Sequence, residues 1–154
     1  MSTQSEIRFS FEKAPSVLFS VIHRPVALVH IYAKQLRIWI PVWGIVDTGA
    51  DYTLLPKGYA QRLGIDLRKD CKVFKTTGVG GQQKSYILRE GKIKIGSFER
   101  TIPIGFLEKS DIPPLLGRQG LLETFELIFK DMRRFLEIYN HKDEVLDIFR
   151  ENQQ

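Results

Sequence analysis

The chain has 154 residues, 43% of them hydrophobic and 27% charged, with a net charge of +5. That length supports one domain able to bury roughly 68–70% of its unfolded surface, and the mild positive charge favours anionic partners. A single cysteine excludes an intrachain disulfide, and without a dense Lys/Arg run there is no sign of a nucleic-acid arm.

In chain order, residues 1–15 are mostly polar and end at Ala14-Pro15, so a flexible N-terminal arm is expected. No apolar stretch follows a basic start there, which predicts no signal peptide. No apolar run approaches the roughly 18 residues of a membrane span. A cytoplasmic protein without membrane or nucleic-acid partners is the expectation. SVLFSVI (16–22) reads as a strand, and RPVALVHIYA (24–33) as another, with Pro25 at an edge where its missing N–H costs little. After a turn at Lys34-Gln35, LRIWIPVWGIV (36–46) reads as a strand with a bulge or break at Pro41 and Gly44. PKGYAQRLGI reads as a short helix opened by Pro56, facing inward at Ala60 and Leu63 and ended by Gly64.

CKVFKTTGVGGQQKSYIL (71–88) places a Gly-rich tip between two β-prone arms, the pattern of a hairpin. Ile93 and Ile95, then Ile102, Ile104 and Phe106, alternate around the two-residue turn signal Gly96-Ser97. GRQGLLETFELIF (117–129) reads as beginning helical, with Leu121, Leu122 and Phe125 on one face. LIF and RRFLEIY then read as strands around KDM, and the basic patch KDMRR (130–134), interrupted by Asp131, reads as a solvated turn. The tail, 141–154, reads as an amphipathic helix on Val145, Leu146 and Phe149. The fold class is mainly β with two or three short helices.

IVDTGADYTLLP (45–56) carries the chemistry. It puts Asp47 directly after two apolar residues, where desolvation penalises the charged form. Thr48 offers a hydroxyl to a neighbouring loop, and Gly49 permits a tight turn. One such carboxylate is a poor hydrolytic device. Two that share one proton are a good one: the ionised Asp takes a proton from water while its neutral partner polarises the scissile carbonyl.

The stretch resembles the active-site loop of retroviral-type aspartic proteases, the retropepsins. Pepsin-like relatives carry the motif twice, but this chain has no second D-[ST]-G. The resemblance therefore implies a symmetric homodimer in which each copy contributes one Asp47. TTGVGGQQK is similar to the flap that closes over a bound peptide, which assigns Gly78, Val79, Gly80 and Gly81 to substrate. IPPLLGRQGLLETF is similar to the segment leading into the family's helix. On that match Thr48, Gly49 and Ala50 support the loop, and Arg118 pairs with Asp51 in a buried or half-buried bidentate contact, joined by Arg24 of the partner chain. Pro113 and Leu115 would line side-chain pockets for apolar residues. Gln119 departs from the Asp or Asn usual after that Arg. Ala50, where pepsins often have Ser, implies a less acidic working range than pepsin's.

The resemblance covers about residues 24–129. It implies a closed acid-protease β-barrel over 16–140, one lobe per chain, acting as an aspartic endopeptidase on peptide or protein substrates with no cofactor and no metal. Either SVLFSVI or RRFLEIY could form the dimer's interface sheet. The alternative is a dimeric module of the same fold that grips an extended peptide without cutting it, and a weaker rival is a basic β-barrel that binds nucleic acid. Other strings are weaker still. GVGGQQKS (78–85) falls one glycine short of a phosphate-binding loop and leads into a strand. His23, His30 and His141 lack metal-ligand spacing. Trp39 and Trp43 read as core or interface packing, Cys71 as structural, and no G-x-S-x-G motif supports a serine hydrolase.

Overall fold

The computed structural model describes residues 5–78, 81–109, 111–130 and 135–140. The chain divides into a terminal unit, Met1–Val26 with Leu122–Gln154, and a central unit, Ala27–Leu121.

The terminal unit begins with β1 (Ser5–Ser10) and continues with β2 (Glu12–Ser16) and β3 (Ser20–Arg24). Strands therefore occupy residues read as a loose arm. The reason is a period-two apolar pattern, Ile7, Phe9 and Phe11, hidden among polar neighbours. SVLFSVI is not one strand. Ser16 pairs with Ser20, and Val17, Leu18 and Phe19 form an exposed three-residue turn. Ser20 adopts a positive φ of 61°, as the residue after such a loop commonly does.

In the central unit, β4 (Val26–Ala33) and β5 (Ile38–Val46) lead to the site. β5 runs unbroken through Pro41 and Gly44, where a bulge or break was expected. Next come β6 (Thr53–Pro56), α1 (Gly58–Arg62) and α2 (Leu67–Asp70). Lys57, not Pro56, precedes α1, Ala60 and Leu63 are buried, and Gly64 ends the turn at φ +67°. α2 escaped the sequence reading. Its signal is Asp66, whose carboxylate accepts the Arg68 and Lys69 N–H groups at 2.9 and 3.2 Å.

β7 (Lys72–Gly78), β8 (Gly81–Ile95), β9 (Phe98–Leu107) and β10 (Leu115–Leu116) complete this sheet. Its order is β4-β5-β10-β6-β9-β8-β7, and β4 also pairs with β8, so the ladder returns on itself with β7 outside the ring. Ile95 pairs with Phe98 across the predicted two-residue turn. Ile93, Ile95, Ile102, Ile104 and Phe106 are at most 1% exposed and form the core with Val29, Ile31 and Leu55. Burying each such side chain contributes about 1.5–3 kcal/mol.

The chain then returns to the terminal unit. The helix expected after Gly117 is reduced to a 3₁₀ turn at Leu122–Thr124. Gly120, at φ +69°, interrupts helical backbone, and the following residues join β11 (Glu126–Lys130). β12 (Phe135–Asn140) lies between β1 and β11, antiparallel to both. Phe11 meets Phe129 edge-on at 6.2 Å. Glu137 is covered by Arg8 and Lys130, at 2.5 and 3.3 Å, and by the Tyr139 hydroxyl at 2.9 Å. The KDMRR turn from Asp131 onward and the expected C-terminal helix lie outside the described residues.

Candidate active site

Asp47 stands where the chain leaves β5. β5 and β10 run parallel, pairing Ile45 with Leu115 and Val46 with Leu116. The Ile45 N–H donates to the Pro114 carbonyl at 2.9 Å, and the Asp47 N–H donates to the Leu116 carbonyl at 3.0 Å. The backbone is thus held on both sides of buried Val46. Beyond Asp47 the chain turns back. The Ala50 N–H donates to the Asp47 carbonyl at 3.1 Å, and the Gly49 N–H donates to Asp47 Oδ1 at 3.0 Å. This Asx-type contact fixes the carboxylate through one oxygen. Among the described residues no other group hydrogen-bonds that side chain. A Cβ on Gly49 would lie 3.2 Å from Oδ1 and crowd it.

In the single chain Asp47 is half-buried, while Thr48 and Gly49 are exposed. The deep burial expected of Asp47 is therefore not supplied by its own chain: β5 ends just before it. Thr48 makes no hydrogen bond to a neighbouring loop among the described residues of this chain.

A second loop braces the first. The Arg118 N–H donates to the Ala50 carbonyl at 3.0 Å and the Gln119 N–H to the Asp51 carbonyl at 2.8 Å. Gln119 contributes through its backbone, so the loop closes without an acid or amide specific to that position. The Arg118 Nη2 pairs with Asp51 Oδ1. The contact uses one guanidinium nitrogen, and in the single chain the side chains are 50% and 80% exposed, so one chain alone does not supply the burial or bidentate geometry expected.

Two glycines let the strands meet. A Cβ at residue 117 would lie 2.3 Å from the Tyr52 backbone carbon and oxygen, and one at residue 44 would lie 2.7 Å from Leu116 Cγ. The Gly117 N–H donates to the hydroxyl of fully buried Thr53 at 3.2 Å. Gly44, Thr53, Leu116 and Gly117 are thus supporting residues the sequence reading missed. A Thr opening the apolar run TLLP and a Gly directly after Leu-Leu were the available signals.

The Gly-rich hairpin is formed by β7 and β8, closed by the pair Gly78 and Gly81, with Gly81 at φ +96°. Val79 and Gly80 lie outside the described residues. Pro113 is exposed and Leu115 half-buried on the approach to β10. Arg24 ends β3 in the terminal unit, and its expected partner belongs to a second chain. Trp43 is 57% exposed in the single chain, which rules out packing in this chain's core; Trp39 packs against Tyr32 at 5.1 Å.

Other chemistry is thin. Among the described residues no group of three or more His, Cys, Asp and Glu could hold a metal, and no helix is long and apolar enough to cross a membrane. Burial, with help from Asp70 and Asp66, pushes the Cys71 thiol up to about 11, the opposite of what an activated nucleophile needs. What the site offers is one oriented carboxylate. It can accept a proton from water but cannot also polarise a carbonyl.

A profile of the family described as aspartyl protease matches residues 40–119, more than half of the chain and the whole of both bracing loops. Among solved structures, that of a retropepsin-like aspartic protease from Rickettsia conorii is similar, with a TM-score of 0.56 and 21% identity over 91% of this chain and 96% of that one. That likeness extends to the fold. No curated protein matches the sequence.

Proposed function

Because the chain belongs to the aspartyl protease family, we propose that it is an endopeptidase whose proton-sharing Asp pair is completed by a second copy of the same chain. The observation that carries this reading is the Asp47 turn: one carboxylate, oriented by the Gly49 N–H and left half-open, in a sequence with a single Asp-Thr-Gly. A symmetric pair of such turns brings two Asp47 side chains together across a two-fold axis. Like charges at that range hold one proton between them. One Asp47 then activates the lytic water while the other polarises the peptide carbonyl.

In this reading Thr48 bonds across the two-fold axis, and Gly49 lies along the substrate backbone. Asp51 and Arg118 keep the turn in place, with Arg24 of the second copy reaching the same pair. The β7–β8 hairpin covers an extended peptide, with the Val79 N–H bonding it, and Pro113 and Leu115 receive apolar side chains.

The test is a peptide-library digest with wild type and Asp47→Ala at several protein concentrations. Cleavage should rise faster than linearly with wild-type concentration and vanish in the variant. Undiminished cleavage by Asp47→Ala would falsify the assignment. A wild-type chain that binds library peptides from acid to neutral pH without cutting them would instead mark a peptide-binding module.

A further inference from the structure

Register in the Gly-rich hairpin places Lys75 of β7 directly opposite Lys84 of β8. Opposed residues of an antiparallel pair project from the same face, and like charges so placed destabilise the pairing. Two residues along, Gln82 shares that face, while buried Ser85 points to the other. The chain beyond β9 then runs alongside: Leu107 pairs with Ser85, and the Glu108 N–H donates to the Lys84 carbonyl at 3.4 Å. Together they border an open surface pocket of about 420 Å³ lined by Lys75, Gln82, Gln83, Lys84, Glu108 and Lys109, with the three lysines exposed.

Charge in this pocket is unbalanced. Three lysines and a single glutamate line it, and Glu108 pairs with Lys57 at 3.7 Å. Among the described residues Lys75, Lys84 and Lys109 have no ion pair of their own. Two opposed lysines cost the hairpin stability unless something negative sits between them. A lysine presents a compact point charge with three donors, which suits a tetrahedral or carboxylate anion. The Gln82 side-chain amide adds neutral donors on the same face.

We propose that this pocket binds an anion, a phosphate or the carboxylate of an acidic side chain, and that the anion clamps β7 to β8. The bound anion bridges the two lysines and turns a repulsive cross-strand pair into an attractive one. Since the same hairpin is the one proposed to cover substrate, the clamp would regulate that cover. This regulatory meaning rests on the endopeptidase reading, whereas the binding does not.

The test therefore uses the full chain carrying Asp47→Ala, so that turnover plays no part. Backbone amide resonances are followed while inorganic phosphate replaces chloride at constant ionic strength, and in a second arm while a short, blocked Glu-rich peptide is added. Shifts should saturate at Lys75, Gln82, Lys84 and Lys109. Saturation with phosphate identifies a free anion, and saturation with the peptide alone identifies an acidic side chain. Lys75→Gln with Lys84→Gln should weaken binding at least roughly tenfold, whereas Lys92→Gln, elsewhere on β8, should not. The bound anion should also slow amide exchange in β7. No saturable shift with either probe, equal binding by the double variant, or unchanged β7 exchange at saturation would overturn the proposal.

Discussion

Replacing Gly44 and Leu116, singly and together, measures how tightly the strand carrying Asp47 is held. Leu116 is fully buried and its carbonyl anchors the Asp47 N–H. Leu116→Ala removes three carbons over Gly44, and such changes cost about 3 kcal/mol or somewhat more. Gly44→Ala puts a methyl 2.7 Å from Leu116 Cγ and 2.9 Å from Cδ2. Overpacking at this distance costs about 2 kcal/mol, even after the roughly 0.5–1 kcal/mol that alanine gains over glycine within a strand. Additive behaviour would put the double variant about 5 kcal/mol below wild type, a large share of the roughly 5–15 kcal/mol typical of a domain. In the double variant, however, the new methyl occupies the space the leucine vacated. Its loss should be only about 2–3 kcal/mol, a coupling of about 2–3 kcal/mol. Urea unfolding at one fixed protein concentration reads all four chains. A double variant that loses the full sum would show that Leu116 does not pack over Gly44 as described.

Three further outcomes are expected. Burial pushes the Glu137 carboxyl up, but hydrogen bonds from Arg8, Tyr139 and Lys130 outweigh it and hold it below the usual carboxylate range. Its stabilising effect is therefore present above the unfolded pKa of about 4.5 and is lost as pH falls through the lower folded value; thermal unfolding between about pH 2 and 7 should lose part of its acid slope in Glu137→Gln. With its thiol at about 11 against an ordinary 9.0, Cys71 should alkylate with iodoacetamide at pH 8 well over tenfold more slowly than a free cysteine, and a rate equal to glutathione's would contradict the described burial. Asp51→Asn weakens a pair that is mostly exposed in the single chain, so unfolding at concentrations too low for self-association should change by less than about 1 kcal/mol; a loss of about 3 kcal/mol there would place that pair in a drier setting than its exposure indicates.

Much of the central unit was legible because its residues obey simple periods. The alternation at Ile93–Ile95 and Ile102–Phe106 gave both strands and their inward faces, and Gly96-Ser97 gave the turn. The turn that carries Asp47 was marked by a short motif that is by itself ordinary turn chemistry; the Gly-rich hairpin and Leu-Leu-Gly-Arg following it in order set it apart. The terminal unit resisted. Ile7, Phe9 and Phe11 alternate, but their neighbours are polar enough to mimic a loose arm. SVLFSVI has the composition of a strand, yet it holds a turn at Val17 to Phe19, a placement that depends on how β2 and β3 pair. Leu121, Leu122 and Phe125 fit a helical face, but Gly120 and the demand of β11 for a partner strand decided otherwise. The supporting residues Thr53 and Gly117 were invisible for a related reason: close approach between segments 64 residues apart leaves no local periodic trace.

The bracing of the Asp47 turn has a thermodynamic consequence for whatever binds there. Backbone hydrogen bonds from the loop after β10 to Ala50 and Asp51, and from Asp47 to Leu116, are all made within one chain. A ligand or partner thus meets a turn whose dihedrals are already set. Ordering a flexible loop on binding costs roughly 1–2 kcal/mol per residue, and here that cost was met when the chain folded. Association at this site can therefore be governed by the contacts themselves, and a weak encounter need not be a slow or disordering one.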